Sequence, residues 1–169
     1  MNLYKIAVIT VSDKGSRGER KDESGPAICE MIESLGEVVS CHMVPDELDL
    51  IQELMINLSD IEKVDLILTT GGTGLSPRDN TPEATLAVIE RAVPGLAEAM
   101  RMESLKKTNR AMLSRAVAGV RRSTLIINLP GSVKAVRECL GVILPVLPHG
   151  LEILSGKAGD CGNSGNNGN

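Results

Sequence analysis

The sequence predicts an α/β fold built on a parallel or mostly parallel sheet. Four short apolar runs rich in Val, Ile and Leu alternate with stretches of helical periodicity along 169 residues, the pattern of strands joined through helices. Each run ends in a polar or glycine-containing turn before the next helix. Right-handed crossovers then bring all these turns to one sheet edge, where open α/β sheets bind their ligands. The length fits one domain with a sizeable core.

Residues 5–11, KIAVITV, read as a first buried strand, since a continuous apolar run suits burial on both faces. The chain then enters SDKGSRGERKDESG, a polar loop with three glycines and eight charged residues. Ser24 is the expected N-cap of the following helix, with Pro26 in its first turn, Ile28, Met31, Ile32 and Leu35 at helical spacing, and a stop at Gly36. Residues 37–44, EVVSCHMV, alternate enough to suit a strand near the sheet edge. After Pro45, Asp46 either caps the next helix or projects into the crevice; Asp49 three residues on favours capping on spacing alone. Leu48, Ile51, Leu54, Met55 and Leu58 give that helix one apolar face.

The central stretch is residues 64–85, VDLILTTGGTGLSPRDNTPEAT. A third strand feeds a turn in which Gly71, Gly72 and Gly74 leave backbone amides open to an anion. Asp79 closes the turn, and Thr81-Pro82-Glu83 reads as N-cap, first helical position and first-turn acid. No Lys follows the glycines and the spacing is not G-x-G-x-x-G, so neither common nucleotide motif is present. Helical sequence is expected over 81–91, again over 96–106 after the break at Pro94-Gly95, and over 111–116 as far as Gly119. Arg101, Arg110 and Arg115 lie in this excursion, within reach of phosphates or, on the simpler reading, as solvated or subunit-contact residues. STLIINL at 123–129 is the last strand, Pro130-Gly131-Ser132 its turn, 133 to about 140 a helix, and 142–154 a closing helix. Residues 155–169 are rich in Gly and Asn and read as a flexible tail after a single domain at 1–154.

Composition narrows the function. Phe and Trp are absent, Tyr4 is the lone aromatic residue, and the net charge is −4, so stacking platforms and a basic field for nucleic acid are missing. No run is long and apolar enough for a membrane span and no leader is recognisable, which together predict a cytoplasmic protein. Cys29, Cys41, Cys139 and Cys161 show no C-x-x-C spacing, and three of them read as small core residues. Asp13, at a strand end, reads equally as structural or functional. With Asp46 and Asp79 beside an amide-rich loop, it suits a site that holds Mg2+ through carboxylates and substrate phosphates.

TTGGTGLSPRDNTPEAT, together with VSDKGSRGERKDESGP, VPDE at 44–47, NLPGSVKAVRECL and PVLPHGLEIL, resembles the signature motifs of the molybdenum-cofactor biosynthesis family, which includes the G-domain of gephyrin. The resemblance covers nearly all of residues 5–154. It implies a three-layer α/β/α fold, assembly as a homotrimer, and Mg2+-dependent transfer of AMP from ATP to the terminal phosphate of molybdopterin. It also implies hand-over to a separate molybdate-inserting enzyme. Two aspartates held essential in the family match Asp46 and Asp79, so the resemblance reverses the capping preference for Asp46 and makes both metal ligands. By the same matching Gly71, Gly72, Thr73, Gly74 and Ser76 line the pocket, Gly131 and Ser132 form part of the substrate cradle, and Asp13 joins them. A non-catalytic molybdopterin carrier and a nucleotide hydrolase are the competing readings.

Overall fold

The computed structural model describes residues 4–156. Six strands form one sheet: β1 (Tyr4–Val11), β2 (Gly36–Val44), β3 (Leu66–Thr70), β4 (Arg91–Ala92), β5 (Ala118–Arg121) and β6 (Thr124–Leu129), in the order β2-β1-β3-β6-β5-β4. All four expected strands are present, and β2, β1, β3 and β6 run parallel. The alternating run is indeed an edge strand. The described residues form seven α-helices, α1 (Asp13–Ser16), α2 (Ser24–Met31), α3 (Leu48–Ile56), α4 (Thr81–Val88), α5 (Pro94–Leu105), α6 (Val133–Ile143) and α7 (Leu147–Leu154).

Successive strand side chains point to opposite faces, and that alternation divides the core. Ile6, Val8, Leu66, Leu68, Leu125 and Ile127 pack with residues of α2, α5, α6 and α7. Ala7, Ile9, Ile67 and Ile126 pack with residues of α3 and α4. The result is the three-layer α/β/α arrangement, filled almost wholly by branched aliphatic side chains. β1 has β2 on one side and β3 on the other, so the chain changes direction of winding between β1 and β3. A crevice opens at such a point, outside the carboxyl ends of the strands.

Four expectations are corrected. The loop after β1 contains the short helix α1, closed by Ser12, whose hydroxyl accepts from the Gly15 amide at 3.0 Å. Ser24 begins α2 without capping it; the Asp22 carboxylate accepts the Gly25 amide instead, at 3.0 Å. The helix expected to reach residue 91 ends at Val88, because Ile89 turns extended and Arg91–Ala92 pairs with β5. Residues 111–119 are not helical throughout: a 3₁₀ turn at Asn109–Leu113 gives way to β5, antiparallel to β6. The two-residue link of that hairpin is Arg122-Ser123, with Arg122 at φ +51, so the usual Asn-Gly signal is missing. Among the cysteines, Cys139 is buried, Cys29 half-buried and Cys41 exposed, with Cys29 and Cys41 Sγ atoms 3.7 Å apart. Cys161 and most of the expected tail lie outside the described residues.

A buried polar knot ties the parallel core to the antiparallel extension. Asn128 on β6 donates to the Thr69 hydroxyl at 3.1 Å and the Thr85 hydroxyl at 2.9 Å, and accepts from the Val117 amide at 3.2 Å. All three side chains are fully buried, and a fully satisfied network of this kind is stabilising where a partial one is costly. Asn128→Ala is expected to cost about 2 kcal/mol and to lower the melting temperature by roughly 4–8 °C, measured by calorimetry on the purified chain.

Candidate active site

Two acidic turns hold each other in place at the carboxyl edge of the sheet. The Asp13 amide donates to Asp46 Oδ2 at 2.9 Å, and the Asp46 amide donates back to Asp13 Oδ1 at 3.0 Å. Asp46 therefore does not cap α3; its N-cap position is Glu47, which makes no side-chain cap bond. Arg78 completes the clasp with a fork on Asp13 (Nε to Oδ2 3.0 Å, Nη2 to Oδ1 2.8 Å) and a bond to Glu47 Oε1 at 2.8 Å.

The glycine turn is shaped by what surrounds it. Gly71 and Gly72 sit at φ +94 and +68, a region that favours glycine. A Cβ on Gly71 would collide with the Val11 carbonyl oxygen, and one on Gly72 with the Thr81 hydroxyl. Thr81, expected as N-cap, instead opens α4 and donates its hydroxyl to the Gly71 carbonyl at 2.9 Å. Arg115 braces the turn from the other side. It donates to the carbonyls of Gly74 and Asp79, both at 2.7 Å, its amide bonds the Thr73 carbonyl at 3.0 Å, and it pairs with Glu83.

A cavity of about 560 Å³ lies between these turns. Of the residues expected to form the site, Asp46, Asp79, Gly71, Gly72, Gly131 and Ser132 all line it. Thr10 and Val11 at the end of β1 and Thr70 at the end of β3 form its floor, which sets it at the switch between the two strands. Thr73 and Gly74 line a neighbouring cavity of about 300 Å³ between α5 and α6. Ser76 lines neither; its amide anchors Asp79 Oδ2 at 3.0 Å. Asp13 also lines neither, its carboxylate being taken by Arg78 and the Asp46 amide.

The carboxylates of Asp46 and Asp79 are prepared in the same way. Each has its Oδ2 fixed by a backbone amide, from Asp13 and Ser76 respectively. Among the described residues no donor bonds either Oδ1, so each aspartate can offer one oxygen to a cation. Burial is the main cause that raises the Asp46 carboxyl above its usual range; the charges of Asp13 and Asp79 add to it, and the Asp13 amide and Arg78 oppose it. The Asp13 carboxyl is lowered, chiefly by Arg78. No group of three or more His, Cys, Asp or Glu among the described residues could hold a metal alone. Two carboxylates with free oxygens fit an ion such as Mg2+, which fills its octahedron with phosphate oxygens and water.

Sequence reading passed over several residues that shape the site. Arg20 and Lys21 are the cations that line the larger cavity, and Asp22 lines it while accepting from the Thr10 hydroxyl at 2.8 Å. Their signal was their place after a parallel strand, on the ligand edge, although the loop itself reads as solvated. Arg101 bonds the Ala116 carbonyl at 2.8 Å, and Arg115 grips the glycine turn; neither is the solvated residue favoured on spacing alone.

Fold and cavity together define an α/β protein with a candidate ligand site at the switch point of its sheet. The family described as "probable molybdopterin binding domain" matches residues 7–149. The molybdopterin adenylyltransferase of Helicobacter pylori (strain J99 / ATCC 700824) is 45% identical over 160 residues, covering 93% of this chain and 91% of that protein. Gephyrin of Dictyostelium discoideum is also 45% identical, over 163 residues that span 90% of this chain and 23% of its own length. Among solved structures, the molybdopterin biosynthesis enzyme MoaB from Thermus thermophilus superposes with a TM-score of 0.86 at 53% identity, covering 91% of this chain and 98% of its own. The chain belongs to the molybdopterin-binding family of molybdenum-cofactor biosynthesis.

The raised Asp46 carboxyl fixes the sign of a stability effect. Its charged form is disfavoured in the folded state, so the cost is absent in acid and grows as pH rises past the unfolded carboxylate range near pH 4. Asp46→Asn, whose amide oxygen can still accept from Asp13, should melt higher than the native chain at pH 7. The gap should close below about pH 4; melting curves across pH 3–8 check it.

Proposed function

We propose that this chain is a molybdopterin adenylyltransferase, which moves AMP from ATP to molybdopterin and releases pyrophosphate. The observation that carries the reading is the meeting of Asp46 and Asp79, each with one unengaged oxygen, in a single cavity beside the glycine turn. The Helicobacter pylori relative named for this activity, similar over nine-tenths of both chains, supports it.

An oxygen of the pterin's terminal phosphate attacks the α-phosphorus of ATP, and the bond from that phosphorus to the bridging oxygen of the β-phosphate breaks. No covalent link to the protein is needed, so the chain's work is to position and to balance charge. Asp46 and Asp79 would hold Mg2+, which when bound supplies positive charge to the triphosphate and the departing pyrophosphate. Glycine at 71 and 72 lets the turn pack against Val11 and Thr81 at positive φ, so that backbone lines the cavity there. Gly131 and Ser132, at the mouth of α6, cradle phosphate oxygens with backbone amides. Thr73, Gly74 and Ser76 keep the turn in register, and Asp13 serves the site through Asp46.

The same reading makes residues 1–154 one adenylyltransferase domain, in a homotrimer. It places that trimer in the cytoplasm, upstream of a molybdate-inserting enzyme. No helix among the described residues is long and apolar enough to cross a membrane.

Purified protein incubated with molybdopterin, ATP and Mg2+ should yield pyrophosphate and an AMP-bearing pterin, and chelation of the metal should stop both. Tight pterin binding without turnover would favour a carrier, and ATP consumption without pterin a hydrolase. Asp79→Asn should fold normally and lose about 100-fold or more in transfer, the scale of removing one preorganised electrostatic contact. Unchanged turnover in that variant removes the role given to Asp79.

A further inference from the structure

Two thiols meet where α2 packs on the edge of the sheet. Cys41 lies opposite Val8 in the β1-β2 register, and Val8 belongs to the core on the α2 side, so the Cys41 side chain faces that layer. Cys29 stands on α2 and packs against the same core. Their Sγ atoms are 3.7 Å apart, with Cys41 exposed and Cys29 half-buried. Cys139 is placed differently: it is buried, and its Sγ has Ser104 Oγ as neighbour at 3.6 Å. A pocket of about 230 Å³ lies beside Cys29 and Cys41 and shares Thr10, Asp22 and Met43 with the larger cavity. Asp22 ties the start of α2 to β1, because its carboxylate accepts from the Thr10 hydroxyl and the Gly25 amide.

We infer that Cys29 and Cys41 form a thiol-disulfide site, oxidised reversibly by a small-molecule disulfide such as glutathione disulfide to a bond that joins α2 to β2. The sulfurs are in contact and have only to close to about 2 Å. Twelve positions separate the two residues, so the bond closes a short loop and fixes the helix whose first residue, Ser24, lines the larger cavity. The exposed thiol reacts first. Cys41 thiolate attacks one sulfur of the small disulfide and expels a thiolate, which takes up a proton. Cys29, deprotonated in turn, attacks the Cys41 sulfur of the mixed disulfide and expels the second thiolate. Two cysteine thiols thus give up two protons and two electrons, and one small disulfide becomes two thiols. Burial, and after it the Cys41 thiol, push the Cys29 thiol up to about 11, which suits it to the second step. Once Cys41 carries the adduct, its hydrogen bond and charge no longer oppose ionisation of Cys29. In a reducing compartment such a pair rests as thiols and closes only when the poise rises.

The full chain, reduced and then incubated with excess glutathione disulfide at about pH 8, should lose both thiols to a bond between Cys29 and Cys41. Cleavage after Glu30, Glu33 and Glu37 separates the two cysteines, so a linked pair of peptides identifies the bond by mass. Dithiothreitol should restore both thiols. The oxidised chain should melt roughly 5–10 °C higher than the reduced one. Cys29→Ser should stop at a glutathione adduct on Cys41 and show no such rise. A lasting adduct on Cys41 of the native chain in place of the bond, or a bond that forms only after unfolding or runs to another cysteine, overturns the inference. So does an oxidised chain that melts no higher, or a Cys29→Ser variant whose Cys41 takes no adduct.

Discussion

The reciprocal pair of bonds between the Asp13 and Asp46 turns is the constraint on which the site depends. Each aspartate fixes the other's backbone amide at about 3 Å, so the loops after β1 and β2 act as one body. The β3 turn joins them through Arg78 and through the Asn80 amide group, which donates to the Asp46 carbonyl at 3.3 Å. Three chain segments far apart in sequence thus become a single rim. Parallel strands alone would bring their ends to the same edge, but only side-chain bonds of this kind set the carboxylates at defined positions within it.

The rim also holds an acidic group under electrostatic cost. Burial and neighbouring charges make the ionised Asp46 costly, and a charge held at a cost is one that a cation relieves. A cation bound there would return that stability, because whatever binds the folded state adds to its stability. Arg115 supports the same region from outside, with its guanidinium on main-chain carbonyls of the glycine turn, so the flexible glycines are fixed by their surroundings.

The parts of the fold legible in sequence were those set by periodicity. Residues 5–11, 37–44, 64–68 and 123–129 read as strands because two-sided burial demands unbroken or alternating apolar residues, and the order of turns placed the site. β4 and β5 were not legible. Ala118 and Gly119 have little strand propensity, Arg91–Ala92 is too short for a pattern, and the hairpin link Arg122-Ser123 lacks the expected turn residues. In the site, the glycines and Asp79 could be found from their local motif. The fate of Asp46 could not, since capping and crevice readings differ only in where the side chain goes, and the answer lies 33 positions away at the Asp13 amide. The same limit hid Arg78 and Arg115, whose partners are distant in sequence.

The core is packed from Ile, Leu, Val, Ala and Met, and the one aromatic ring belongs to Tyr4, half-buried at the start of β1 with its hydroxyl 3.4 Å from the Pro148 carbonyl. A protein with a single phenol and no indole is nearly transparent in the near ultraviolet. Any chromophore that enters the cavity can therefore be followed by its own absorbance and emission, with almost no background from the chain that surrounds it.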